Sequence, residues 1–524
     1  MTAGQLTKDY NRYCPGEEHI RISDAICRGR RFAHFPKCRG CQFNDDETNQ
    51  KPRAEDEGGE LNGKIEAVFR EDDVFAASPE PLSEDAAWRI GHAIAQYLRG
   101  KLRGYDRADP AARTIVVGRD ARSRSRCLQK ALAEGVRSSG MDVVDIGLVD
   151  TPQLYFAVSR LGACGGIQTT GGFMPVEHNG FTFCAANGVP IGFDTGLASI
   201  HDIASRVPRH ETGTTAALTS LNLAKPYAEF LRGDLIGGNK LAKPLKIAVD
   251  ASNGAAGKWV PIVFNRVRSL TIVPLNFEHN GVFAHTPDPS VARNTRELRQ
   301  LVKRQKADFG VCFDGDASRC AFFDEKGIAI PADCIAALLA RMFIEREPGA
   351  AVVFDLRAID SLSEEIERAG GAPIRSRVGQ VLLKKTMVEQ NAVFGCDLSG
   401  RFYFRSASSC ESALLAFVHV INLVNASGRK LSELVRTMQR YRSSGEIVFA
   451  SDNPDGVVRA FAAAHPDAAI DELDGLTVRY PEWWGNVRPD ARESSVRLTL
   501  QAKTKKLVDQ KLAELRPFFE GEDE

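Results

Sequence analysis

From residue 64 onward, short apolar runs alternate with longer stretches in which apolar residues return every third or fourth position. The runs at 114–117, 245–249, 309–313 and 351–354 have the length and composition of buried strands. Residues 82–98 show helical spacing instead, with Ser83 placed to cap the helix. Three strand–helix stretches of comparable size follow one another. A shorter one ends in a strand over 495–500 and a helix over 505–519. The pattern predicts an α/β protein with three consecutive βα-rich domains, 63–225, 226–325 and 326–440, and a smaller C-terminal α+β domain, 441–524, around a central cleft. Ligands of such sheets collect on loops at the carboxyl ends of strands.

Residues 1–43 break this rhythm. Cys14 and Cys27 are followed by Cys38-Arg-Gly-Cys41. A C-x-x-C knuckle can set two thiolates on one tetrahedral Zn²⁺, with Cys14 and Cys27 completing the set and His19 or His34 able to replace either. Unligated thiols, an iron–sulfur cluster and a redox pair are the alternatives. A zinc-ordered module of this kind could dock a partner, cover the cleft or serve structure alone. Residues 44–62 are acidic, aromatic-free and turn-rich, the composition of a disordered linker.

The charge of the whole chain narrows its partners. With 68 basic and 68 acidic residues among 524, no global field draws it to nucleic acid or to a membrane. The first residues lack an apolar signal region, and no apolar run approaches the roughly 20 residues of a membrane span. Most of the twelve cysteines stand in strand-like apolar contexts. Buried reduced thiols of a cytoplasmic protein account for those better than disulfides do.

Chemistry concentrates in Phe313-Asp-Gly-Asp-Ala-Ser-Arg319, a tight loop between two apolar strands. Two carboxylates and an arginine on so short a loop are costly unless a cation or an anionic ligand uses them. Asp314 and Asp316 suit Mg²⁺, but the third alternating position is Ser318, which leaves the site one charge short and Mg²⁺ weakly held or lost.

Four further loops stand with it: Gly118-Arg-Asp-Ala-Arg122, residues 168–181, Gly395-Cys-Asp-Leu-Ser-Gly-Arg401 and residues 488–494. Their order and spacing resemble the α-D-phosphohexomutase superfamily, in particular phosphomannomutase/phosphoglucomutase. The segments 250–257, 287–289 and 378–385 agree, and the resemblance spans roughly residues 63 to 524. It implies a phosphoserine that exchanges its phosphoryl group with a hexose phosphate through a bisphosphate. Four loops serve that exchange: a T-x-S-H-N-P serine loop, a D-G-D-x-D-R metal loop, a G-E-x-S-G-H sugar loop and an R-x-S-x-T phosphate loop.

Against that pattern the chain departs at successive chemical positions. Alignment of Thr170-Gly-Gly-Phe-Met-Pro175 puts Gly172 at the nucleophile and Phe173 at the histidine, and glycine has no hydroxyl to phosphorylate. Thr182 follows Asn179-Gly-Phe181 where the family has a lysine that moves protons. Gln380 replaces the histidine of the V-G-H turn. Asp397 replaces glutamate and Arg401 replaces histidine, while Ser399 and Gly400 are kept. Arg488 is kept, Asp490 stands where a serine is expected, and Arg492 could restore part of the charge.

The resemblance therefore implies a cleft in which Arg119, Arg319, Asp397, Ser399, Arg401, Arg488 and Arg492 meet a phosphosugar, with no confident catalytic residue. The expected protein is a catalytically degraded member that binds, regulates or scaffolds, alone, with a protein partner or beside an active paralogue. The alternative is an active mutase that uses a bisphosphate cofactor or a non-standard carrier such as Thr169 or Thr170. A changed activity on a more anionic ligand, met by Arg401 and Arg492, is the third.

Overall fold

The structure, a computed structural model, describes residues 12–14, 17–22, 65–70, 73–102, 109–209, 216–238, 240–358, 360–490 and 494–520, the first two segments and residue 520 by backbone alone. The chain divides into two units, 1–63 and 64–524. In the first, β1 (Arg12–Cys14) pairs antiparallel with β2 (Glu17–Ile22), a strand pair the cysteine spacing did not suggest. The side chain of Cys14, together with Cys27, Cys38, Cys41 and the linker, lies outside the described residues.

The first sheet of the second unit holds β3 (Val74–Ala77), β4 (Thr114–Arg119), β5 (Asp142–Leu148), β6 (Gly165–Thr169), β7 (His178–Ala185) and β8 (Leu218–Ser220), in the order β3-β7-β6-β4-β5-β8. Strands β4, β5, β6 and β8 run parallel, and β7 returns antiparallel to β6. All of β6 is buried, as strands covered on both faces require. The helix Glu84–Lys101 covers one face, and Ser83 caps it as expected by accepting from Ala86 N.

Two further sheets repeat this wiring. The second contains β9 (Lys240–Asp250), β10 (Arg268–Leu275), β11 (Phe309–Phe313), β12 (Cys320–Phe323) and β13 (Ala329–Ile330), ordered β10-β9-β11-β12-β13. The third contains β14 (Ala351–Asp355), β15 (Ala372–Ser376), β16 (Phe394–Cys396), β17 (Phe402–Phe404) and β18 (Cys410–Glu411), ordered β15-β14-β16-β17-β18. In each, a central parallel strand is flanked by two others, and the third in sequence turns back into an antiparallel partner. That turn is the serine-type loop in the first sheet, the acidic loop in the second and the Asp397 loop in the third. One topology thus delivers three chemical loops from equivalent positions.

The last sheet, β19 (Arg442–Ala450), β20 (Ala469–Asp471), β21 (Leu476–Arg479), β22 (Trp483–Asp490) and β23 (Ser495–Ala502), is wholly antiparallel in the order β19-β23-β22-β21-β20. The helix expected over 505–519 is two, Lys505–Leu515 and Pro517–Glu520. Pro517 brings no N–H to continue the helical hydrogen-bond ladder, although Arg516 before it keeps helical backbone. One apolar core runs continuously through the first three sheets, from Val116 through Trp259 and Phe309 to Phe417. The fourth sheet has its own, around Phe449, Phe461, Val487 and Leu498. Cys164, Cys184, Cys312, Cys320, Cys334, Cys396 and Cys410 are buried free thiols. Among the described residues no helix is long and apolar enough to cross a membrane.

Candidate functional site

The three repeated sheets begin their cleft loops the same way. Strands β4, β9 and β14 run into Asp120, Asp250 and Asp355, and each carboxylate accepts from the backbone two residues on: Arg122 N at 3.0 Å, Ser252 N at 2.9 Å and Arg357 N at 2.9 Å. These Asx turns fix the loop mouths. In the first sheet the turn also aims Arg122, whose guanidinium donates to four carbonyls of the next loop. Nη1 reaches Pro175 O (2.6 Å) and His178 O (3.0 Å), and Nη2 reaches Gly172 O (3.0 Å) and Met174 O (2.7 Å). Asp120 completes the anchor by accepting from Thr170 Oγ1 and Gly171 N at 3.0 Å each.

On this clamped loop Gly172 has φ +49°, the left-handed region that favours glycine. A Cβ there would have room, its nearest neighbours being the Asp316 carboxylate oxygens at 3.9 Å. The bare backbone therefore faces the acidic loop with nothing to offer it. The two loops touch closely: a Cβ on Gly315 would stand 2.5 Å from the Gly172 carbonyl oxygen. Phe173 meets the acidic loop at its end, with the Arg319 guanidinium 3.7 Å above its ring centroid. Thr169 ends β6, and the Thr170 hydroxyl lies within hydrogen-bond reach of both Asp120 and Asp316.

Every carboxylate oxygen of the acidic loop already accepts a protein donor. Asp314 takes Arg319 N (3.1 Å) and Ser318 Oγ (2.9 Å); Asp316 takes Ser318 N (3.2 Å) and Thr151 Oγ1 (2.5 Å), and the single proton of Thr170 Oγ1, 2.9 Å away, is shared between it and Asp120. Burial, reinforced by Asp316, pushes the Asp314 carboxyl up to about 8. Ser318 turns its hydroxyl toward Asp314 as a donor. Among the described residues no three His, Cys, Asp or Glu side chains gather to hold a metal.

The Asp397 loop is likewise closed on itself. Asp397 Oδ1 accepts from Ser399 N (2.9 Å), Ser399 Oγ (2.5 Å) and Arg401 N (3.3 Å), and Oδ2 from the Tyr403 hydroxyl (2.9 Å). Burial tends to raise this carboxyl, but Arg401, Ser399, Arg319 and Arg357 hold it below the usual range. Gln380 donates to Asp73 at 3.1 Å. Behind it, Lys384 pairs with Glu411 at 2.6 Å and donates to the Tyr155 hydroxyl at 3.1 Å, joining the third sheet to the first. Thr170, Gly172, Phe173, Thr182, Asp316, Ser318, Gln380 and Arg401 all line one narrow cavity of about 70 Å³, with Asp73 and Glu411, which the sequence reading had not singled out.

Two predicted residues sit elsewhere. Arg119 lines a separate groove with Arg126, Lys130 and Asp145. Arg488 is committed to carboxylates: it pairs with Glu446 and lies 3.7 Å from Asp474. Glu446 also holds Arg357 (3.0 Å) and Arg497 (3.2 Å), and Arg497 reaches Asp490 at 3.3 Å. Burial pulls Glu446 upward, yet Arg357, Arg488 and Arg497 outweigh it and hold its carboxylate below the ordinary range. Arg492 lies outside the described residues. Glu446 and Arg357 escaped the sequence reading because neither belongs to one of the five loops that carry the resemblance.

Three like-wired α/β domains whose hairpin loops converge, followed by an antiparallel fourth, define a phosphohexomutase architecture. Family models describe the same division: phosphoglucomutase/phosphomannomutase alpha/beta/alpha domain I matches residues 66–209, domain II 225–327 and domain III 331–441. The chain belongs to the phosphoglucomutase/phosphomannomutase family. It is 34% identical over 446 residues to the phosphomannomutase of Salmonella montevideo, covering 83% of this chain and 94% of that protein. A phosphoglucomutase/phosphomannomutase family protein from Burkholderia thailandensis has a similar crystal structure, with a TM-score of 0.77, 27% identity, and 86% of this chain and 96% of that chain covered. The N-acetylphosphoglucosamine mutase of Aspergillus fumigatus, solved with GlcNAc-6P and magnesium, shares the fold at 14% identity and a TM-score of 0.52, over 83% of this chain and 98% of that one.

Proposed function

We propose that this chain is a family member that has given up phosphoryl relay and keeps its cleft for ligand binding, in a regulatory or scaffolding role alone or beside an active paralogue. The observation that carries this reading is Gly172. The position aligned with the phosphoserine is a left-handed glycine whose missing side chain would have faced Asp316. Without a nucleophile the relay has no first step.

The metal position supports the same reading. Asp314 and Asp316 have each oxygen engaged, and Ser318 donates where a third carboxylate would accept. Mg²⁺ is held by free carboxylate oxygens and waters in near-octahedral array, and this loop offers two carboxylates whose oxygens are already occupied by protein donors, one charge fewer than the family's loop. Thr182 supplies no titrating group for proton transfer.

The competing reading is turnover through a bisphosphate cofactor or through Thr170. The Thr170 hydroxyl is buried between Asp120 and Asp316, where a phosphoryl group would meet two carboxylates. Purified protein incubated with mannose 1-phosphate or glucose 1-phosphate, Mg²⁺ and glucose 1,6-bisphosphate is expected to form no 6-phosphate. Clear turnover would overturn the proposal.

A further inference from the structure

Arg119, an expected ligand of the phosphosugar cleft, opens instead onto a groove of about 970 Å³ that shares no lining residue with the cavity around Gly172. The helix Ser125–Ser138 lines it with Arg126, Lys130 and Arg137, and β5 and β8 supply Asp145, Gly147 and Leu218. Four of the lining residues are cationic and two, Glu134 and Asp145, are anionic, a local excess in a chain of balanced charge. Both carboxylates are already engaged. Glu134 pairs with Arg209 at 3.5 Å, and Asp145 Oδ1 accepts from Gln129 Nε2 at 2.9 Å and Gly147 N at 2.7 Å. Arg137 donates from Nε to Ala216 O at 2.8 Å. Among the described residues the Arg119 guanidinium and the head groups of Arg126 and Lys130 make no hydrogen bond or ion pair. Arg119 is half-buried, where an unpaired cation is costly, and burial lowers its pKa ahead of Asp145, which raises it.

The cations form a row. From Arg126 to Arg137 the helix rises about 16 Å, a distance that an extended chain covers with about five residues. Alternate side chains of such a chain recur about every 7 Å, close to the helix rise of about 6 Å between Arg126 and Lys130. Leu218, exposed on the edge strand β8, adds an apolar contact. Among the described residues no aromatic side chain lines the groove, so a nucleic-acid base would have no platform on which to stack. Asp145 and Glu134 would repel an unbroken polyphosphate, whereas carboxylates spaced on alternate residues can avoid them.

We propose that this groove docks an extended acidic segment of a partner protein, with carboxylates on Arg119, Arg126 and Lys130 and an apolar side chain on Leu218. Arg119 is the anchor, because a half-buried guanidinium can meet one carboxylate with two hydrogen bonds. Arg126 and Lys130, both exposed, steer the segment and set its direction along the helix. The docking uses no residue of the cleft cavity, so it stands whether or not the chain turns over a hexose phosphate.

Fluorescence anisotropy on the full chain at constant ionic strength tests it, with a labelled decapeptide of alternating glutamate and alanine as the probe. The peptide is expected to bind. Arg119→Gln, and Arg126→Glu combined with Lys130→Glu, should each weaken it about tenfold or more. Lys505→Gln, at an exposed position of the fourth domain, should leave it unchanged. Absence of peptide binding, or equal binding by every variant, overturns the proposal. So does equal binding of a decapeptide with lysine in place of glutamate. Tighter binding of a thymidine decanucleotide than of the acidic peptide overturns it in favour of nucleic acid. Should Arg119→Gln not fold, the double variant decides, since both of its side chains are exposed, and an unchanged affinity there overturns the proposal.

Discussion

At the scale of single residues, the proposed loss of phosphoryl relay turns on two positions, Gly172 and Ser318. A serine at 172 would accept its left-handed backbone at a cost of about 1 kcal/mol and project toward Asp316. Gly172→Ser alone should stay unmodified by glucose 1,6-bisphosphate, because the loop behind it lacks a third carboxylate. Gly172→Ser with Ser318→Asp should gain a phosphoryl adduct in Mg²⁺, read by intact mass. His419 makes a different point. It is buried between Phe343 and Phe404 with both ring nitrogens unpartnered, and burial, helped by Arg346, pushes it down to about 3. Its folded value lies below the unfolded 6.5, so stability is fully present above that pH and is lost as pH falls toward 3. Where only the unfolded chain is protonated, the loss runs at about 1.4 kcal/mol per pH unit. His419→Leu should flatten the melting temperature across that window. The substitutions at 172 and 318 were legible because motif positions are local in sequence. His419 was not, because the rings that enclose it come from separate elements.

At the scale of elements, the loop after β6 owes its shape to Arg122 rather than to its own residues. Four carbonyls converge on one guanidinium, and a lysine cannot span four acceptors in fixed directions. Arg122→Lys should cost about 2–4 kcal/mol and expose residues 171–178 to proteolysis before global unfolding, measurable by denaturant titration and limited digestion. The sequence marked the Gly118–Arg122 loop as part of the cleft but gave Arg122 no task. Carbonyl acceptors exist at every residue and leave no compositional trace. Strand runs such as those at 114–117 and 309–313 were legible for the opposite reason, since burial on both faces writes itself as unbroken apolar sequence. The split of the last helix at Pro517 was equally visible in the residues and was overridden by the apolar spacing around it.

For the whole molecule, the first three sheets share a core while the fourth is tied to the third through charge. Arg357 of the third sheet and Arg488 and Arg497 of the fourth converge on Glu446, 89, 42 and 51 residues away along the chain. Glu446→Gln should leave three cations short of a partner, lower stability by about 3 kcal/mol or more, and increase the radius of gyration in small-angle scattering as the fourth domain swings away. Unchanged dimensions would mean that apolar contacts hold that domain instead. Four domains could be read from the alternation of strands and helices. Their mutual attachment could not, because it depends on partners dozens of residues apart whose pairing no periodicity records.

Glu446 also behaves as a competitor carried on the same chain. A tethered carboxylate sits beside Arg488 at an effective concentration on the order of millimolar. A diffusing phosphate at micromolar levels would have to displace it before reaching the fourth domain's arginine. That entrance is therefore closed by mass action rather than by shape, and removal of a single charge would open it.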